Sequence, residues 1–238
     1  MSERVMFEAQ GIDVFYGSSQ ILFDVSIAVL EGQTMALLGR NGAGKSTTLK
    51  AIAGIAPPAR GRICVIETEV QGKKPHAIAR AGLGFVPEDR QVFPEHSVED
   101  NLAIAAKKGP QGQDYWNLSK IYEMFPLLGP LRQRMGRHLS GGEQQMLTIA
   151  RTLMGNPVAL LLDEPSEGLA PVIVERIGEL LRRLRDMGVT VLLAEQNMHF
   201  CLGIASHATI IDKGQIVYRD TIEAIRQNEA VKSRYLAL

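Results

Sequence analysis

Thr34-Met35-Ala36-Leu37-Leu38-Gly39-Arg40-Asn41-Gly42-Ala43-Gly44-Lys45-Ser46-Thr47 runs from an apolar pentapeptide into three closely spaced glycines, then into a lysine and two hydroxyls. A short, wholly apolar run that stops at glycine is the pattern of a parallel strand buried on both faces. Lys45 to Ala53 reads as a helix. Between them, residues 39–46 fit GxxxxGK[ST], and the strand-to-helix setting makes that match meaningful. Glycines there let the backbone N–H groups of Gly39, Arg40, Asn41, Gly42, Ala43 and Gly44 converge on phosphate oxygens, and the helix N-terminus adds partial positive charge. Lys45 is then placed to reach the β and γ phosphates of a nucleotide and Ser46 to ligate Mg²⁺, with Thr47 beside them. On its own such a stretch is also compatible with a plain glycine turn.

Working outward, Val158–Leu162 and Val189–Ala194 are two more apolar runs of the same kind. Val172 to Met187 between them places Ile173, Ile177, Leu180, Leu181 and Leu184 at helical spacing and stops at Gly188. That order predicts strand, crossover helix and strand, the unit of an α/β parallel sheet. Val5–Val14 and Gln20–Val29 predict two antiparallel strands around a turn at 16–19. Residues 91–157 are strand-poor, with short helical stretches such as Val98–Ala106, and read as a helical insertion into one domain spanning 1–238. Ala208–Asp212 and Gln215–Tyr218 predict a hairpin followed by helix.

Composition excludes several classes. The 238 residues carry Lys+Arg 26 against Asp+Glu 26, so no basic surplus offers a broad face to nucleic acid. Cys64 and Cys201 lack metal-ligand or CxxC spacing and read as reduced core residues, which favours the cytosol. The N-terminus shows no apolar signal region, and no uncharged run approaches the ~20 residues of a membrane span, so any membrane role is expected to go through a partner.

Asp163-Glu164-Pro165 follows the second apolar run. The run and its acids look like a Walker B strand, a resemblance that implies Asp163 at Mg²⁺, directly or through water, and Glu164 orienting and deprotonating an attacking water. In isolation two adjacent carboxylates at a strand tip also suit a solvated turn. Leu139-Ser140-Gly141-Gly142-Glu143-Gln144 opens a helix with Met146, Ile149, Ala150, Leu153 and Met154 along one side. Ser140, Gly141 and Gly142 would offer hydroxyl and backbone donors to an anion, although a helix cap alone would explain them.

Together these three motifs resemble the Walker A, Walker B and signature sequences of ABC-type ATPases, over essentially the whole chain. The resemblance implies a P-loop NTPase core with an antiparallel β subdomain and an inserted helical subdomain. It also implies that the signature of one subunit completes the ATP site of another, and that Tyr16 stacks on adenine, although a tyrosine there also suits packing. Three positions depart from the family pattern. Glu88 in Phe85-Val86-Pro87-Glu88-Asp89-Arg90 stands where most members have a glutamine that senses Mg²⁺ and the membrane partner, and Gln91 leaves a shifted register open. A carboxylate at Glu88 could still hold the metal or its water. Ala170 replaces the usual aspartate, and Gln196 takes the place of the switch histidine, able to donate a neutral hydrogen bond to a γ-phosphate but no charge.

VPEDR, DEPSEGLAP and AEQN further resemble the smaller ATPase of branched-chain amino-acid uptake systems. That implies ATP and Mg²⁺, a second and non-identical ATPase, two polytopic permease subunits, a solute-binding protein acting indirectly, and a place at the cytoplasmic face of the inner membrane. Urea and short-chain amide importers are a close alternative. A non-transport relative acting on DNA or ribosomes is the other, lacking here the long coiled-coil arms or the second module. No NKxD motif supports a GTPase. Phe85–Pro94 and the insertion are the expected contacts to a permease, with Val92, Phe93 and Pro94 equally suited to covering the core.

Overall fold

The computed structural model describes residues 4–236. β1 (Val5–Tyr16) turns through Gly17-Ser18 into β2 (Ser19–Leu30), with Tyr16 opposite Ser19. β3 (Thr34–Leu38) and α1 (Lys45–Ile52) follow, then β4 (Arg60–Val65), β5 (Thr68–Glu69), α2 (Pro75–Arg80) and β6 (Leu83–Val86). Next come α3 (Val98–Ala105), α4 (Leu118–Met124), two 3-10 turns and α5 (Gly141–Leu153). The chain returns through β7 (Ala159–Asp163), α6 (Pro171–Asp186), β8 (Thr190–Glu195), α7 (Met198–Cys201), β9 (His207–Asp212), β10 (Gln215–Thr221), α8 (Ile222–Gln227) and α9 (Glu229–Val231).

One sheet is antiparallel, in the order β2-β1-β4-β5. The other has the order β10-β9-β3-β8-β7-β6 and is parallel except for β10. Alternate residues of its strands serve two cores, as a two-residue period requires. Ala36, Leu38, Leu160, Leu162, Val191 and Leu193 face the core shared with α5 and α6. Leu37, Leu161, Leu192 and Ala194 face the core shared with α1 and the antiparallel sheet. A sheet covered on both faces explains why its strands carry no polar alternation. Cys64 and Cys201 are both buried and unpaired.

The register sets the site. Leu38 lies beside Glu195, Asp163 beside Ala194, and Val86 beside Leu162, so four parallel strands end together. The loops after β3, β6, β7 and β8 therefore leave from one edge, the usual place for a ligand in an open α/β sheet.

β4, β5, β6 and α2 are not anticipated by the hydropathy pattern. β4 opens on the exposed Arg60-Gly61-Arg62. β6 has four residues, with Gly84 inside because a Cβ there would meet Thr152 Cγ2 at 2.7 Å and Leu160 Cδ2 at 2.9 Å. A strand kept thin so that a helix can approach its backbone loses the β-branched signal by which strands are read.

Candidate active site

The loop from β3 into α1 is held by close backbone packing. A Cβ on Gly39 would lie 2.4 Å from the Ile211 carbonyl oxygen, and Gly44 has φ +112°. Gly214 N–H donates to Ala43 O at 2.8 Å, and the Thr48 hydroxyl donates to Gly44 O at 2.8 Å. Arg40, Asn41 and Gly42 are exposed, while Ser46 and Thr47 are half-buried. Lys45 is 3% exposed and folds back into the loop mouth, its Nζ donating to Gly39 O (2.9 Å) and Arg40 O (3.2 Å). It also pairs with Glu164 Oε1 at 2.9 Å. The lysine charge is thus met by Glu164 and two loop carbonyls.

Asp163 ends β7 with 1% exposure. Its Oδ1 accepts from the Ser46 hydroxyl at 2.9 Å, while Oδ2 is buried without a partner. Burial pushes its pKa up to about 6, against the Ser46 hydrogen bond, with the charges of Glu164 and Glu88 adding to the rise. A hydroxyl and a carboxylate with an orphaned oxygen fit a hard divalent cation. Among the described residues no three His, Cys, Asp or Glu side chains converge on one point. That suits Mg²⁺, which takes one or two protein ligands and completes its shell with phosphate and water. Glu88 stands exposed two residues past β6, near enough that its charge bears on both Asp163 and Glu167.

Glu164 has φ +45°, a left-handed conformation that costs a non-glycine residue of order 1 kcal/mol or more and gathers at functional sites. Its N–H donates to Ala194 O at 3.0 Å, which holds the turn to the end of β8. Burial raises the pKa of this carboxyl, but hydrogen bonding with Glu167 and the bond and charge of Lys45 bring it below the usual value. Glu167 moves the opposite way, to about 7, chiefly through its hydrogen bond with Glu164.

Two further residues act here that sequence reasoning gave no role. Glu195, at the end of β8 and 2% exposed, accepts from the Ser166 hydroxyl at 2.6 Å and from Ser166 N–H at 3.2 Å. The signal for it is an acid closing an otherwise apolar strand, Leu193-Ala194-Glu195. Arg90 donates from Nη2 to Glu167 O at 2.8 Å, so the loop after Asp163 is held from both sides. Gln196 follows Glu195 and is exposed, and Tyr16 ends β1 with its ring half exposed.

Ser140, Gly141 and Gly142 stand at the start of α5, where Ser140 forms a capping box with Glu143. Ser140 Oγ accepts from Glu143 N–H at a long 3.4 Å, and Glu143 Oε2 accepts from Ser140 N–H at 2.7 Å. The side chains nearest Gly141 and Gly142 are Arg90, Leu169 and Ile173, none from the loop at 39–47. Gly141 and Gly142 therefore lie apart from the loop at 39–47 within one chain. A cavity of about 330 Å³ lined by Met124, Phe125, Met146, Leu180 and Arg183 involves none of these residues. The nucleotide site of the single chain is an open edge, not an enclosed hole.

Residues 22–167 match the ABC transporter family, and the chain belongs to it, as an ATPase whose hydrolysis of ATP is coupled to transport. Its relatives include the high-affinity branched-chain amino acid transport ATP-binding protein BraG of Pseudomonas aeruginosa, 41% identical, with 97% of this chain and 99% of that one covered. The lipopolysaccharide export system ATP-binding protein LptB of Escherichia coli is 36% identical, over 96% and 95%. Among solved structures, the ADP conformation of MJ1267, an ATP-binding cassette of an ABC transporter, superposes with a TM-score of 0.81 at 25% identity, covering 96% of this chain and 97% of that one. Among the described residues no helix is long and apolar enough to cross a membrane.

Proposed function

We propose that this chain energises uptake of branched-chain amino acids, acting at the cytoplasmic face of the inner membrane through two permease subunits, with a second, non-identical ATPase beside it. The observation that carries the ATPase chemistry is the buried Lys45–Glu164 pair next to the Ser46–Asp163 pair. Identity with BraG over nearly both full lengths supports the solute.

In this reading Lys45 leaves Glu164 for the β and γ phosphate oxygens of ATP, and the amides of 39–44 take the remaining phosphate charge. Ser46 and Asp163 would hold Mg²⁺, with Glu88 near enough to hold one of its waters. That ion neutralises charge on the phosphate oxygens when it is bound. Glu164, freed of its lysine, accepts a proton from the water that attacks the γ-phosphorus in line as the bridging oxygen to the β-phosphate departs. Gln196 donates to a γ-phosphate oxygen, and Tyr16 stacks on adenine. Ser140, Gly141 and Gly142 serve the ATP held by the neighbouring ATPase, which accounts for their separation from this chain's own loop.

Export is the second reading, favoured by the 36% identity to LptB. Reconstitution in vesicles with the permease subunits separates the two. Stimulation of ATP hydrolysis by a solute-binding protein loaded with leucine, and not by urea, short amides or lipopolysaccharide, is the expected result. Stimulation by lipopolysaccharide alone contradicts it, and recovery of the chain with ribosomes or DNA instead of membrane subunits overturns transport altogether.

A further inference from the structure

Arg90 is a cation outside this chain's own phosphate loop, lying against the first residue of α5. Its backbone is left-handed, with φ +50°, a conformation that a side chain of this size adopts only under constraint. Among the described residues its guanidinium meets no carboxylate within ion-pair distance. Instead it donates to the carbonyl of Glu167 at 2.8 Å and lies over two glycines. A Cβ on Gly141 would sit 2.5 Å from Nη1, and one on Gly168 3.3 Å from Nη2. The side chain therefore bridges the loop that carries Glu164 and the first residue of α5. A positive charge beside a helix N-terminus gains nothing from the helix dipole. Its place there is explained by the bridge, and the missing side chains at 141 and 168 leave room for it.

The segment that follows Arg90 is bound to the helical part. Arg151 of α5 donates to the Gln91 carbonyl and stacks over the Phe93 ring at 4.8 Å. Asn101 of α3, fully buried, accepts from Phe93 N–H at 2.8 Å and donates to the carbonyls of Phe93, His96 and Ser97. Gly136 N–H donates to His96 O at 2.9 Å and Arg137 N–H to Pro94 O at 3.1 Å. Residues 91–97 thus move with α3 and α5. Glu167, three residues past Glu164, hangs from a turn tied to β8 by Glu164 N–H and Ser166. The Arg90 side chain is thus a polar link between the Glu167 carbonyl and the helical part, beside the apolar contact of Leu169 with the start of α5.

We propose that Arg90 is a positioning residue, a strut that fixes the loop carrying Glu164 relative to the helical part and transmits displacement of one to the other. The claim rests on the ATPase activity alone and not on which solute is carried. Its role is distinct from phosphate binding, because its hydrogen bond is to a backbone carbonyl outside the phosphate loop.

The test uses the full-length chain with Arg90→Ala and Arg90→Lys. Hydrogen exchange without nucleotide reads the strut directly. In Arg90→Ala, amides of 164–169 should exchange faster while peptides from β3 and β7 keep wild-type protection. In ATP hydrolysis by the assembled complex, kcat should fall by on the order of tenfold to a hundredfold, the scale of a small misplacement of a catalytic group. KM should stay as in wild type, because the guanidinium bonds to the Glu167 carbonyl and not to the loop at 39–47 that holds this chain's ATP. Arg90→Lys keeps one donor and should recover part of both losses. Unchanged exchange at 164–169 overturns the proposal. So does a rise in KM with kcat intact, which would make Arg90 a nucleotide ligand, or loss of protection in β3 and β7, which would make it a general prop of the fold.

Discussion

Lys45 and Glu164 form an ion pair that the proposed mechanism requires to be broken. Both are nearly buried, and each is the other's principal counter-charge. In the absence of nucleotide this keeps a cation and a general base out of water at tolerable cost, and it leaves the base blunted by its lysine. Glu195 poses a different problem, a carboxylate buried at a strand end and served only by Ser166 and local backbone. Burial, partly offset by those bonds, raises its pKa. A raised carboxyl pKa means that the folded state holds the proton more tightly than the unfolded one, so stability falls as pH rises from the ordinary carboxylate range through the raised value. Glu195→Gln removes that loss and keeps an oxygen for Ser166. Thermal melts should show the variant gaining on wild type as pH rises from 4 toward neutrality; a difference that does not change with pH would contradict this.

At the scale of elements, legibility in the sequence follows the kind of burial. The parallel strands β3, β7 and β8 are readable because both faces are covered and every residue is apolar. α6 is readable from its stripe and its closing glycine. β6 is hidden because Gly84 must admit α5, and β4 because its first half is exposed. The phosphate loop is legible residue by residue, since its glycines answer to backbone approach. Arg90 and Glu195 are harder to read, because their partners, Glu167 O and Ser166, are 77 and 29 residues away, and the one local sign is the acid that closes the apolar run of β8. Two predictions belong here. Gly39→Ala pushes a methyl into the Ile211 carbonyl, so denaturant titration should show a loss of about 1–3 kcal/mol together with weakened ATP binding. Ser140→Ala removes the cap of α5 and should cost about 1 kcal/mol by the same measurement, while ATP binding to this chain's own loop is unchanged.

For the molecule as a whole, the separation of the loop at 39–47 from Ser140–Gly142 is the consequential fact. In the proposed arrangement one chain presents two half-sites, each lacking what the other offers. In the assembled transporter, Ser140→Arg on this chain should abolish most turnover while photolabelling of this chain by an azido-ATP persists; loss of labelling would place both halves in one site. The balance of 26 basic and 26 acidic residues agrees with partners that dock by shape.

The central claim is that Glu164 activates the water. Glu164→Gln in the assembled complex, read by equilibrium ATP binding and single-turnover hydrolysis side by side, tests it most directly. ATP should bind at least as tightly as in wild type, since Lys45 no longer has an anionic partner to leave, and hydrolysis should slow by about 10²–10⁴-fold, the range of a lost general base. Turnover near the wild-type rate with intact binding would contradict the account.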